Sequence, residues 1–583
     1  MNNKRYKEER YATRPVKDIR ELLHSSKNRY PDRAAFLVKE TQERGYEPIS
    51  FFRLCEEMDA LGTALLELGL SGKKIAVIGE NRYEWALTYM AVACGVGVIV
   101  PMERELQFRE INHLCDWVGV AAIVCTEKLE KTIKQAAEGQ KKLEYLISID
   151  KKQEEDRDPE FLSLQGLIAR GKELIAQGNR DYLDAVIDPE AMSMLLFTSG
   201  TTGVAKGVML SHKNIVSNVA NMSQYVNVEG WVGLSVLPMH HTYEMTCHVL
   251  TALYQGCSVA ICEGLKHIQS NMQEVHARVM LGVPLLFEMI HKKVWKQAEK
   301  SGKAAKMRRG IAISQKFHLY NTGMAKKLFR EIHESFGGQL SLLIAGAAGI
   351  DPTVIEDFTA MGIPMIQGYG MTENSPIIAV NLDRYCKPAS VGLPMPNTLV
   401  RIIDADENGI GEIICKSDSV MLGYYENPEE TSRVIIDGWL YTGDYGYFDE
   451  DGFLYLTGRK KNVIVTKNGK NVFPEEVELY LLRSYCIKEC VVYGITEEND
   501  DTVVCAEIYP DYDMIQEETG IIGDERIREL IKKAVDGANE NMPMYKRVRR
   551  FTIRETEFDK TASRKIKRYS IGNKEAQTLE YQQ

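Results

Sequence analysis

Short apolar runs, each ended by glycine, proline or a polar cluster, alternate along this chain with stretches whose apolar residues recur at helical spacing. Lys74 to Ile78 is an apolar run closed by Gly79, Trp85 to Cys94 has helical spacing, and Val96 to Val100 is β-branched before Pro101. A helix over Phe108 to Trp117 then precedes a strand over Ala121 to Cys125. This β-α-β rhythm predicts an α/β fold whose sheet is covered on both faces. Farther on, strands are predicted at Met194 to Phe197, Gly207 to Leu210, Leu234 to Pro238 and Leu342 to Ala345. Ser211 has the place of an N-cap, before a helix with Ile215, Val219 and Met222 on one face. The polar stretch Lys151 to Glu160 reads as an exposed loop inside the domain.

The last part of the chain changes character. Asn471 to Glu478 reads as a helix start with proline first and acids at the positive end of the dipole. Strands at Glu489 to Tyr493 and Val503 to Ile508 and a helix at Asp524 to Ala538 follow, then a basic tail that by itself suits a solvated face. At 583 residues the chain exceeds one ordinary core, so at least two domains are expected. A net charge of -10 argues against nucleic-acid binding as its main role. Its 12 cysteines include no C-x-x-C, and Cys257 with Cys262 or Cys486 with Cys490 match no zinc spacing, which predicts reduced core thiols. The charged N-terminus has no apolar segment behind it. The longest apolar run, Met90 to Met102, is shorter than the roughly 20 residues a bilayer needs. A cytoplasmic protein is expected, with peripheral membrane contact left open.

Chemistry concentrates in a few segments. In Thr198-Ser199-Gly200-Thr201-Thr202-Gly203 two glycines free the backbone and four hydroxyls can donate, so the loop can wrap an oxyanion, and Lys206 adds charge for a polyphosphate. It is not a P-loop, because Gly207 follows the lysine where that motif has its Mg²⁺-binding hydroxyl. His240, His241 and His248 lack the H-E-x-x-H spacing of a zinc site. The small residues Gly346-Ala347-Ala348-Gly349 would let a flat ring lie against backbone.

Met192 to His212 closely resembles the phosphate-binding loop of the adenylate-forming enzymes, a family of acyl-CoA synthetases, luciferases and peptide-synthetase adenylation domains. Gln367-Gly368-Tyr369-Gly370-Met371-Thr372-Glu373 resembles the family's signature. Trp439 to Asp444, Leu456 to Lys461 and Phe558 to Ile566 extend the match, which runs in order over roughly residues 30 to 570. The resemblance implies a large N-terminal domain, 1–459, of β-sheets layered with helices, and a small mobile α+β domain, 460–583, hinged at Lys460. It implies ATP, Mg²⁺ and CoA as ligands. Gly346 and Ala347 would border the nucleotide, Tyr369 would stack on adenine, Glu373 would hold Mg²⁺ with Thr201, and His241 would line the carboxylate pocket. Asp444 would accept the ribose hydroxyls, with Arg459 and Lys461 nearby. Lys565 would contact the reacting carboxylate and the α-phosphate, although Arg564 replaces the usual glycine. Gly79 to Trp85, Leu237 to Glu244 and Gly282 to Val294 are most similar to long-chain fatty acid enzymes. An acyl tunnel would draw on the helix from His241 to Leu253 and on Val283. The expected reaction is formation of acyl-adenylate and pyrophosphate, then transfer to CoA. An acyl-AMP or acyl-carrier-protein ligase and a non-catalytic nucleotide-binding regulator are the alternatives, and the oligomeric state is not legible.

Overall fold

The computed structural model describes residues 9–39, 44–152, 160–199, 205–467, 470–496, 502–520, 523–560 and 566–568. Among these, the alternating pattern builds two large sheets. An eight-stranded sheet places Ala205–Ser211, Met192–Ser199, Val98–Met102, Lys74–Ile78 and Val120–Cys125 side by side, parallel except where Met192–Ser199 meets Ala205–Ser211. A nine-stranded sheet contains Ser258–Ile261, Val232–Ser235, Val279–Gly282, Leu342–Ala345, Met365–Gly370 and Ile377–Val380 in that spatial order. Its interior pairs are parallel, as crossover helices require. One continuous apolar cluster takes Ile75 and Met194 from the first sheet, Val259 and Leu281 from the second, and Ile215, Val219, Val249 and Leu253 from helical segments packed with both.

Local sequence explains several boundaries. Ser211 caps the helix His212–Met222: its Oγ accepts from the Asn214 N–H at 3.2 Å while Asn214 Oδ1 accepts from the Ser211 N–H at 2.9 Å. One boundary differs from expectation. The strand expected at Leu234 to Pro238 is Val232–Ser235, and beyond it Met239 donates its N–H to the Asn81 side chain instead of to a neighbouring strand. Gln367 to Gly370 forms the end of strand Met365–Gly370. The apolar run Met90 to Met102 is divided between helix Tyr83–Ala91, a wide turn Val92–Val96 and strand Val98–Met102. No helix among the described residues is long and apolar enough to cross a membrane. All the cysteines are free thiols, most of them buried.

A third sheet pairs Leu399–Ile403, Gly411–Lys416, Trp439–Phe448 and Leu454–Arg459. Past it lies a smaller α+β domain, in which Ile487–Thr496, Thr502–Pro510 and Arg550–Ile553 carry helices Pro474–Leu482 and Asp524–Glu540. Its buried cluster is its own, from Ile464 to Phe551. Several ion pairs join the two parts: Arg483 Nε lies 2.9 Å from Asp351, Lys470 Nζ 3.1 Å from Glu407, and Lys296 and Lys300 pair with Glu517.

Strand Met365–Gly370 turns back antiparallel onto Ile377–Val380, so the turn carrying Glu373 is fixed by that pairing. A Cβ at Gly370 would overlap the Pro376 carbonyl oxygen. Gly370→Ala is expected to destabilise the protein by about 1–3 kcal/mol, as overpacking does. Thermal unfolding checks this, and an unchanged midpoint would mean that the strand pair yields freely.

Candidate functional site

The candidate site forms where the ends of both large sheets meet the third. Met192–Ser199 and Ala205–Ser211 bracket the hydroxyl-rich loop, with Thr198 opposite Lys206 and Ser199 opposite Ala205 in register. Gly200, Thr201, Thr202 and Gly203 lie outside the described residues. Lys206 forms an ion pair with Glu430 and stands 4.9 Å above the Tyr424 ring. Tyr424 in turn donates its hydroxyl to Glu373 Oε1 at 2.9 Å. Burial first, then the Glu373 carboxylate, pushes the Tyr424 phenol well above its ordinary value, so it stays a donor.

Asp444 joins the next two segments. Its Oδ2 accepts the Tyr369 hydroxyl at 2.7 Å and its Oδ1 lies 2.7 Å from Arg459 Nε. Asp444 and Arg459 are opposite each other on antiparallel strands, and that register sets the ion pair. Burial works against the Arg459 charge, but Asp444 foremost, then Tyr369, Glu373 and Glu475, hold its pKa above the usual value. Lys461 has the reverse fate. Burial, then the neighbouring Arg459 and Arg568 cations, pull its pKa down. Each oxygen of an ionised carboxylate has further acceptor capacity, so Asp444 can still take ribose hydroxyls while its protein partners remain.

Small residues also shape the surroundings of this centre. A Cβ at Gly346 would lie 2.7 Å from the Tyr243 ring, so the flat ring lying against that backbone is the chain's own tyrosine. Ala347 adopts a left-handed φ of 73°. A Cβ at Gly368 would meet the Ala379 carbonyl oxygen at 3.1 Å. Gln367 is buried and donates to the Pro388 carbonyl at 2.6 Å, which uses its amide inside the fold. Met371 packs against the cluster that holds Tyr369, and Thr372 opens the short turn that carries Glu373. His241 is the residue before the helical segment that starts at Thr242, and its ring centroid lies 4.1 Å from that of His240. Burial, then His241 and Arg104, push the His240 pKa well down, which keeps it neutral.

The structure therefore brings Lys206, Glu373, Tyr369, Asp444, Arg459 and Lys461 to one place. Sequence reasoning missed Glu430, Tyr424 and Glu412, the last of which pairs with Lys460 at 2.6 Å and accepts the Gly443 N–H at 3.2 Å. Asn427-Pro428 signals the helix that presents Glu430, but no local pattern signals a partner 224 residues away. Lys565 and Arg564 lie outside the described residues. The segments on either side are tied down: Lys560 pairs with Glu489 and, at 2.8 Å, with Glu557, the Lys567 N–H donates to Asp559 O at 2.8 Å, and Arg568 is bonded to Glu478.

A carboxylate for a hard cation, a cation for phosphate and a carboxylate–arginine pair for ribose are what a nucleoside triphosphate needs at its ends. The comparisons agree with that chemistry. Residues 23–425 match the AMP-binding enzyme family, and residues 461–580 match the AMP-binding enzyme C-terminal domain. The chain belongs to the AMP-binding enzyme family. It is 27% identical to fatty acyl-CoA synthetase B of Dictyostelium discoideum over 88% of this chain and 79% of that protein. With long-chain-fatty-acid–CoA ligase 5 of Rattus norvegicus the figures are 29%, 77% and 69%, and with the Salmonella typhimurium long-chain-fatty-acid–CoA ligase they are 25%, 82% and 82%. The fold is shared with an anthranilate CoA ligase solved with anthranoyl-AMP, at a TM-score of 0.74, 19% identity and coverage of 98% of both chains. It is shared too with a Mycobacterium tuberculosis fatty acyl CoA synthetase, at a TM-score of 0.63 and 19% identity over 94% of this chain and 96% of that one.

The clamp on Lys560 has a pH signature. Lys488 and Lys560 hold the Glu557 carboxyl down to about 2, against an ordinary value of about 4.3 in an unfolded chain. A depressed carboxylate stabilises the fold above the unfolded value, and that contribution is lost as pH falls towards about 2. Glu557 is 45% exposed, so solvent screening keeps the effect below about 1 kcal/mol. Glu557→Gln should lower the unfolding midpoint slightly at pH 7 and not at pH 2, and equal loss at both would exclude the ion pairs as its cause.

Proposed function

We propose that this chain is a fatty acid–CoA ligase of the AMP-forming kind, acting on medium to long acyl chains. The observation that carries the reading is the convergence of Lys206, Glu373, Asp444 and Arg459, from four separate segments, at the edge of the sheets. The names of its relatives support an acyl-CoA product. In the first step a carboxylate oxygen of the acid attacks the α-phosphorus of ATP, and the bond to pyrophosphate breaks. In the second a CoA thiolate attacks the acyl carbon and AMP leaves.

The protein's share is placement and charge. Asp444 and Arg459 hold the ribose end. Thr198, Ser199, Gly200, Thr201, Thr202 and Gly203 wrap the phosphates, for which Lys206 exchanges its Glu430 partner. His241 borders the acid, and Lys565 neutralises charge beside the carboxylate and α-phosphate. Glu373, with Thr201, fits a Mg²⁺ ion, being a hard oxygen donor beside a phosphate site, and the ion when bound supplies charge neutralisation. We take Lys460 as the hinge between 1–459 and 460–583, with the small domain rotating between the steps. The protein is placed in the cytoplasm, where contact with a membrane surface would suit its acyl substrate.

Pyrophosphate release over acetate, octanoate, palmitate, aryl acids and amino acids tests the substrate class. Each buried methylene contributes about 0.8 kcal/mol, so kcat/KM should rise several-fold per added carbon pair until the pocket is full. Preference for an aryl or amino acid would overturn it, and thioester formation on carrier protein but not on CoA would move the protein to the carrier-protein ligases.

Lys565→Ala should cost adenylation on the order of 10² to 10³ in rate and leave thioester formation from supplied acyl-AMP intact. Lys560→Ala should not share that phenotype, because its ammonium is engaged with Glu489 and Glu557. Single-turnover measurement of each half-reaction decides between them, and the opposite result would exchange the two roles.

A further inference from the structure

The helical segment 242–254 leads from the candidate site into the core. Near its start Tyr243 donates its hydroxyl to the Ile344 carbonyl at 3.0 Å, beside Gly346. Deeper along it lies a cavity of about 20 Å³, lined by Gly233, Cys247, His248, Thr251, Leu281 and Ile344, enough for one water-sized group. Ile344 thus borders both the site and the cavity. The residues between are a wide π-type turn, Met245–Leu250, a geometry frequent where a helix serves a ligand.

The cavity wall is mostly apolar, and one polar atom on it is unpaired. His248 is 2% exposed, and its Nδ1 lies 2.8 Å from Oε1 of the fully buried Glu244. Its Nε2 has no hydrogen-bond partner among the described residues. The other polar groups on that wall are engaged: Thr251 donates to the Thr246 carbonyl at 2.9 Å, and the Gln255 amide donates to Ser223 and the Val226 carbonyl. With Nδ1 engaged by Glu244, Nε2 is the ring atom left without a partner, and an orphaned buried polar atom is costly. Gly233 leaves room for the ring, since a Cβ there would overlap Nε2.

We infer that His248, oriented by Glu244, is a specificity-determining residue at the floor of the acyl pocket, where it takes a hydroxyl group carried at the far end of the acid. His248 lies seven residues beyond His241, roughly 10 Å along a helix at about 1.5 Å per residue, within reach of a medium-length chain. A terminal methyl would leave Nε2 unpaired, whereas a hydroxyl, which can both donate and accept, pairs with it. The inference rests on the fatty acid–CoA ligase reading.

The test is pyrophosphate release by the full chain with hexanoate, octanoate, decanoate and dodecanoate and with the ω-hydroxy acid of each length. At one length the ω-hydroxy acid should have the higher kcat/KM, by on the order of tenfold. His248→Leu should abolish that preference, His248→Gln should keep part of it, and KM should move more than kcat. Slower reaction of the ω-hydroxy acid at every length in the wild-type enzyme would overturn the inference and leave the cavity to a water molecule. That comparison needs no variant, so it decides the matter even if His248→Leu fails to fold. Turnover of neither series would instead overturn the ligase reading, and this inference with it.

Discussion

The Asp444 carboxylate holds the candidate site together. It is 6% exposed, and a carboxylate taken that far from water is tolerated only when its oxygens are engaged. One oxygen takes the Tyr369 hydroxyl and the other the Arg459 guanidinium, so the signature strand and the strand leading into the small domain are both fastened to one anion. Removing any of the three would leave a buried charge or donor without its partner.

A second layer of support is made of shape. The left-handed backbone at Ala347 and the approach of Tyr243 to Gly346 bring the 342–349 segment and the 242–254 helical segment into close contact. Lys206 and Tyr424 give the phosphate side a comparable arrangement, with the ammonium over the ring and the phenol directed at Glu373. The site is therefore ordered by its own side chains before any ligand is considered.

Much of this was legible in the sequence because it is local. The Ser211 cap, the strand at Leu342 to Ala345 and the proline-first helix at Pro474 are each written in a few adjacent residues, and the structure has all three. The grouping of Lys206, Glu373, Asp444 and Arg459 was legible only through resemblance, since nothing in their spacing brings them together. Glu430, Glu412 and Tyr424 escaped because their partners depend on sheet register and on a helix placed far along the chain. The wide turn at Met245–Leu250 escaped as well: apolar residues surround it, and that pattern does not tell a π-type turn from an α-helix. The glycines at 368 and 370 serve close strand pairing, a role that only the register of Met365–Gly370 on Ile377–Val380 makes visible.

The way the small domain rests on the large one has an energetic consequence. Asp351–Arg483, Glu407–Lys470 and the Glu517 pairs are surface ion pairs that solvent screens, and water replaces them on separation. Ionic strength screens such pairs, so salt weakens this part of the contact between the two domains while leaving apolar contacts such as Phe473 against Tyr445 in place. The solvent, as much as the protein, then has a share in how firmly the small domain is held.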